Sequence, residues 1–149
     1  MATSIVIRDA VKKDLPSIYE LVRELAIFEE AEHELKIGID DYEKEFENGT
    51  FQALVAEENG VILGTCIYYS SYSTWKGKSI YLEDFVVKEA YRKKGIGQQL
   101  FDHLIQKSKD LGAKLLRWQV LDWNQPGLNF YAKNNAIIEK EWWNGKIIF

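Results

Sequence analysis

Between Tyr91 and Leu104 the chain reads YRKKGIGQQLFDHL, and its first seven residues combine what an anion site needs. Arg92, Lys93 and Lys94 bring full positive charges. Gly95 and Gly97 leave the backbone bare. The spacing of Leu100, Leu104, Ser108 and Leu111, which puts them along one face, then predicts a helix that stops at Gly112. A helix N-terminus leaves N–H groups unpaired and carries partial positive charge, so glycines there let a phosphate approach the backbone. The amides of Gly95, Ile96, Gly97 and Gln98 therefore suit the diphosphate of a nucleotide-like cofactor. The segment lacks the G-x-x-x-x-G-K-[ST] of a Walker A loop, and Leu100 stands where a Rossmann loop needs a third glycine. ATP and NAD both fit poorly.

The surrounding residues define the elements that must carry this segment. SIVIRDA reads as a first strand, after which Asp14 stands where a side chain can cap a helix bearing Ile18, Leu21, Val22, Leu25 and Phe28 at helical spacing. IDDYEKEFENG predicts a second, shorter helix. FQALVAEENGVILGTCIYYSSY is two β-rich runs joined by Asn59-Gly60, a pair that readily takes the positive φ angles of a tight hairpin. KSIYLEDFVVK is the strand feeding the basic segment, KLLRWQVL a short buried strand, and QPGLNFYAKN a helix with Pro126 in its first turn. The tail AIIEKEWWNGKIIF, with a second Asn-Gly pair, is expected to form a closing hairpin. The order βααβββαβα with closing strands is that of a mixed α/β domain.

The whole chain narrows the class further. Its 149 residues, 46% hydrophobic and 13% aromatic, suit one domain over residues 1–149 with a single core. A net charge of -4 argues against a broad nucleic-acid surface, because Arg92–Lys94 is only a small cluster. No apolar run approaches the length that spans a bilayer, and the opening residues lack the pattern of an export signal. Cys66 is the sole cysteine, so neither an intrachain disulfide nor a cysteine-based zinc site can form, and a cytoplasmic location is expected. His33 and His103 have no partner at metal-ligand or triad spacing and read as surface residues, so no metal is expected. Cys66, in a hairpin strand, reads as a small buried apolar residue.

The R-x-x-G-x-G of Arg92–Gly97, preceded by a strand and followed by a helix, resembles the acyl-CoA diphosphate loop of the GCN5-related N-acetyltransferase (GNAT) superfamily. YLEDFVV, DWNQPGLNFY and RELAIFE resemble the spermidine/spermine (diamine) acetyltransferase subfamily, and with matching spacing the likeness covers nearly the whole chain. It implies a single GNAT-type acyl-CoA N-acyltransferase domain, with a central, mostly antiparallel twisted sheet flanked by helices. It also implies acetyl-CoA as the cofactor and a homodimer. Trp142 and Trp143 would be contact residues, since adjacent strand residues point to opposite faces.

The resemblance also assigns roles. Arg92, Lys93, Lys94, Gly95, Ile96, Gly97 and Gln98 would hold the diphosphate, while Phe85, Val86, Val87 and Asn124 would bind the pantetheine arm. An alkylamine with a pKa of about 10.4 is mostly protonated at neutral pH, so Glu83 is expected to act as base through ordered water. Tyr131, seven residues after Asn124, resembles the family's general acid: a phenol of pKa about 10 stays protonated and can donate to a leaving thiolate. Tyr131 would also contact the cofactor. Phe28, Glu29, Trp75, Glu83, Asp84 and Trp123 are the expected acceptor-binding residues. Glu29, Glu30, Glu32 and Glu34 form an acidic segment able to attract a cation.

Two departures from the family pattern stand out. Asn135 occupies a helix end where relatives often have Gly, and Asn tolerates the left-handed conformation next best. Ser73 stands where the polyamine enzymes usually have an acid, which weakens the case for a long polyamine. The expected activity is direct acetyl transfer to a small primary amine such as a diamine, polyamine or thialysine-like amine. The alternatives are a protein or peptide acceptor and a non-catalytic CoA-binding module. Having Glu83 and Tyr131 together disfavours the module.

Overall fold

In the computed structural model, which describes residues 4–149, Asn59 and Gly60 have φ of 51° and 80°. Both are positive, as a tight turn requires, and they fold β2 (Gln52–Glu58) back onto β3 (Val61–Ser73). β1 (Val6–Asp9) pairs with the outer edge of β2, β4 (Gly77–Val87) with β3, and β5 (Leu115–Trp118) with β4. The sheet order is thus β1-β2-β3-β4-β5, antiparallel except for the parallel β4–β5 pair. It is the mixed, mostly antiparallel sheet expected from the sequence.

Helices cover both faces of this sheet. α1 (Leu15–Phe28) buries Leu15, Ile18, Leu21 and Val22 against Val55, Ile67 and Val86, and each such aliphatic side chain contributes roughly 1.5–3 kcal/mol. α2 (Ile39–Glu47) adds Tyr42 to the same cluster. α3 (Ile96–Asp110) packs on the other face: Phe85, the strand neighbour of Val86, stacks on Phe101 of α3 with ring centroids 5.8 Å apart, and successive strand residues point to opposite faces. Asp14 does not cap α1 as expected. Its carboxylate accepts from Val11 N at 2.8 Å, closing the single 3-10 turn before the helix, and takes a two-pronged contact from Arg8 at 2.7 and 3.0 Å.

Two irregularities of β4 matter most. Leu82 pairs with Tyr68 and Asp84 with Ile67, so Glu83 is an extra residue, a bulge. β5 accompanies β4 only along Ser79–Leu82. From Glu83 to Val87 the side of β4 facing β5 has no strand partner in the sheet.

Residues Gln119–Phe149 form a separate compact unit. Within it α4 (Gln125–Lys133) begins at Asn124, whose side chain accepts from Gly127 N at 3.1 Å. Asn135 takes the left-handed conformation foreseen for it, with φ 61°. The closing hairpin expected at residues 136–149 does not form; the tail carries no strand. Neither Asn144 nor Gly145 adopts positive φ, so the turn that brings two strands together is missing, and a lone two-stranded ribbon is marginal in water.

Candidate active site

α3 starts at an N-cap, Gly95, in the left-handed region at φ 81°, and no side chain caps the helix. A residue with a side chain would pay about 1 kcal/mol or more for that conformation. The first bond of the helix runs from Gln99 N to Gly95 O at 3.1 Å, so Ile96 and Gly97 lie in the first turn, where amides find no acceptor within the helix. A Cβ at Gly95 would meet nothing within 4 Å, and one at Gly97 would touch only Phe85 Cζ at 3.6 Å and Val87 Cγ2 at 3.8 Å. The fold itself leaves room for a side chain at Gly97. A bare, uncapped helix start fits a phosphate-bearing ligand.

The cations beside it are held from below. Arg92 Nε donates to Val87 O at 3.0 Å, and its guanidinium lies 5.8 Å over the Phe28 ring. Lys94 Nζ sits 5.3 Å over Tyr91. The end of α1 thus meets the basic segment, a contact that sequence spacing does not reveal.

At the β4 bulge an acidic group gathers. Asp84 is half-buried, and its carboxyl is pushed up to about 7, first by desolvation and then by the charges of Glu83 and Glu29. Glu29, at the C-terminal end of α1, is also raised by burial. Tyr42, buried beneath them from α2, has its phenol raised by burial and then by Asp84. Glu83 itself is exposed. Its other neighbours are Tyr69 and Tyr81, whose rings stack 5.4 Å apart across β3 and β4. Burial raises the Tyr69 phenol, and Glu83 raises it further by its charge and by accepting from it.

The expected site residues divide accordingly. Glu29, Glu83 and Asp84 come together, while Glu30, Glu32 and Glu34 are exposed and Glu32 pairs with Arg23 at 3.2 Å. Most of the acidic segment is therefore a solvated face. Phe85 and Val87 border the helix start, whereas the Val86 side chain belongs to the core. Trp75 is 86% exposed on the β3–β4 turn. His33 and His103 are exposed, and the fully buried Cys66 thiol is pushed up by desolvation, which makes it a poor nucleophile. In the second unit Tyr131 is buried with its ring edge-on to Phe130 at 5.5 Å, and Trp123 is half exposed. Tyr42, Tyr69 and Tyr81 escaped the sequence reading. For Tyr81 a signal existed: it lies two residues before Glu83 on one strand.

A mixed sheet with an uncapped, glycine-rich helix start at the end of β4 and an acid cluster on the bulge define an acyltransferase. The Acetyltransferase (GNAT) family model matches residues 15–136, and the chain belongs to that family. It is an N-acetyltransferase, and the family's acetyl donor is acetyl-CoA. The chain is 36% identical over 152 residues to thialysine N-epsilon-acetyltransferase of Bos taurus, covering 94% of this chain and 89% of the relative. In fold it is similar to an aminoglycoside acetyltransferase from an uncultured soil metagenomic sample, with a TM-score of 0.81, 19% identity and coverage of 97% and 96%. It is also similar to an aminoglycoside N-acetyltransferase solved with CoA, with a TM-score of 0.80, 15% identity and coverage of 98% and 97%.

Proposed function

We infer that this enzyme acetylates a primary amine of a small cationic acceptor: a diamine, a polyamine or a thialysine-like amine. The observation that carries this reading is the convergence of Glu29, Glu83 and Asp84 where β4 runs on beyond the end of β5. Three carboxyl groups beside aromatic rings suit an alkylammonium ion better than an anionic or neutral acceptor. The thialysine N-epsilon-acetyltransferase relatives support the same class.

Acetyl-CoA supplies an activated acetyl group and a thiolate as leaving group. Arg92, Lys93 and Lys94 with the amides of Gly95–Gln98 bind its diphosphate, and the β4 edge at Phe85–Val87, which β5 does not accompany, holds the pantetheine arm together with Asn124. Glu83 takes the ammonium proton through water, Asp84 and Glu29 hold the cation, and Tyr131 gives a proton to the departing sulfur. Trp75, Trp123 and Phe28 frame the acceptor. The family match spans both compact units, which supports one catalytic domain over residues 1–149. Trp142 and Trp143, 70% and 94% exposed, support a homodimer joined through the tail. The single buried cysteine is in keeping with a cytoplasmic enzyme. No helix among the described residues is long and apolar enough to cross a membrane.

Thiol release from acetyl-CoA, followed with a panel of amines, tests the reading. Release that depends on a small amine is expected. CoA binding with no amine-dependent release would overturn it in favour of a binding module.

A further inference from the structure

The strand register places Arg117 in the row of the acceptor site. Tyr81 pairs with Tyr69 on one side and with Arg117 on the other, so the three lie side by side across β3, β4 and β5. Tyr69 is two residues from Ile67, which belongs to the α1 core, so the row faces the same side as Asp84 and Tyr42. Arg8 and Arg23 pair with carboxylates, but no carboxylate among the described residues pairs with Arg117. Its Nη2 donates to the Ser71 hydroxyl at 3.2 Å, and Ser71 is braced by Ser79 at 2.9 Å. A single hydroxyl leaves most of a guanidinium's five donors available on an exposed face.

An arginine in this place is at odds with an acceptor that is only a cation, since it repels the ligand that Glu83 and Asp84 attract. It suits an acceptor with a cation at one end and an anion at the other. We propose that Arg117, steadied by Ser71, binds the carboxylate of an amino-acid acceptor whose distal amine is acetylated at Glu83. One inter-strand step of about 4.8 Å and two residues of about 3.3 Å along β4 separate the two positions by roughly 8 Å. That spacing of the two positions suits an amine three or four carbons from the carboxyl-bearing carbon better than an α-amine. The two parallel N–H groups of arginine match a carboxylate in a way that lysine does not.

This assignment rests on the acetyl-transfer reading above, and one experiment separates the two. Wild-type enzyme and Arg117→Gln are assayed with lysine and with 1,5-diaminopentane, which present the same terminal amine with and without a carboxylate. The wild type is expected to prefer lysine. In the variant the ratio of kcat/KM for lysine to that for the diamine should fall about 10- to 100-fold, the range for losing a charge-assisted hydrogen bond. Arg117→Lys should restore part of it. Equal losses on both acceptors, an unchanged ratio, or a wild type that prefers the diamine would overturn the role of Arg117 and leave the acetyl-transfer reading standing. If wild-type enzyme acetylates neither of these nor any other small amine, the reading falls and the assignment with it. Unchanged circular dichroism and CoA affinity of the variant confirm that it folds.

Discussion

Glu83 and Asp84 are consecutive on β4, yet the bulge gives them different environments: Glu83 is exposed, and Asp84 is half-buried and desolvated enough to hold its proton to about pH 7. Asp84 therefore costs stability at the pH where it serves binding. Its folded pKa lies above the unfolded value of 3.8, so the folded state binds more protons between those values and stability falls as pH rises from about 4 to about 7. Asp84→Asn should raise Tm at pH 8 by roughly 4 °C or more, with the gain vanishing near pH 4. The same variant should raise KM for the amine about 10-fold at pH 8 and much less at pH 6, where the native carboxyl is already mostly neutral. A Tm gain independent of pH would refute the burial argument.

Tyr131 and Glu83 should separate by pH profile. Tyr131→Phe is expected to keep acetyl-CoA affinity and lower the transfer rate by about 10²-fold or more at every pH. Glu83→Gln should lose most at neutral pH, and the loss should shrink toward the pKa of the amine, where free amine is abundant without a base. A constant Glu83→Gln deficit from pH 7 upward, or normal turnover by Tyr131→Phe, would remove the corresponding role.

The helix start can be tested apart from the fold. A methyl group at Gly97 makes only ordinary contacts with Phe85 and Val87, so Gly97→Ala should melt at or slightly above the native Tm. Its CoA affinity should nevertheless drop by about 10-fold, because a bound diphosphate needs the space. Arg92→Glu should weaken CoA binding in a salt-sensitive way. Native affinity in both variants, measured by calorimetry, would place the diphosphate elsewhere.

Away from the site, Asp14 joins β1 to the entry of α1 through Arg8 and Val11 N. The Arg8 hydrogen bond holds its pKa below 3.8 despite burial, so this contribution is complete above that value and is lost as pH falls below it. Asp14→Ala should cost about 2–3 kcal/mol at pH 7, or roughly 4–12 °C in Tm, with acetyl-CoA affinity near native. A Tm deficit that is undiminished at pH 3 would count against the ion pair as its cause.

Local chemistry made much of the molecule legible in advance. Asn59-Gly60, set between two β-rich runs, signals a tight turn, and Arg92–Gly97 declares an anion site because glycine, charge and a helix start act within a few residues. Other features depended on partners distant in the chain. Period-two alternation along YLEDFVV cannot reveal that Glu83 is the extra residue, since a bulge is a mismatch between two strands. Asp84 carries no sign of its raised pKa, because desolvation in the folded chain and the charges of Glu83 and Glu29 create it. Arg117 sits in an ordinary strand pattern, and only the parallel register of β5 on β4 sets it beside Tyr81. The tail, where a second Asn-Gly pair suggests a hairpin, forms none, because Asn144 and Gly145 do not take the positive φ angles that bring two strands together. Sequence determined the elements as far as α4 and the chemistry of the loop; tertiary structure decided which carboxyl groups share one environment, since desolvation and strand register are properties of neighbours.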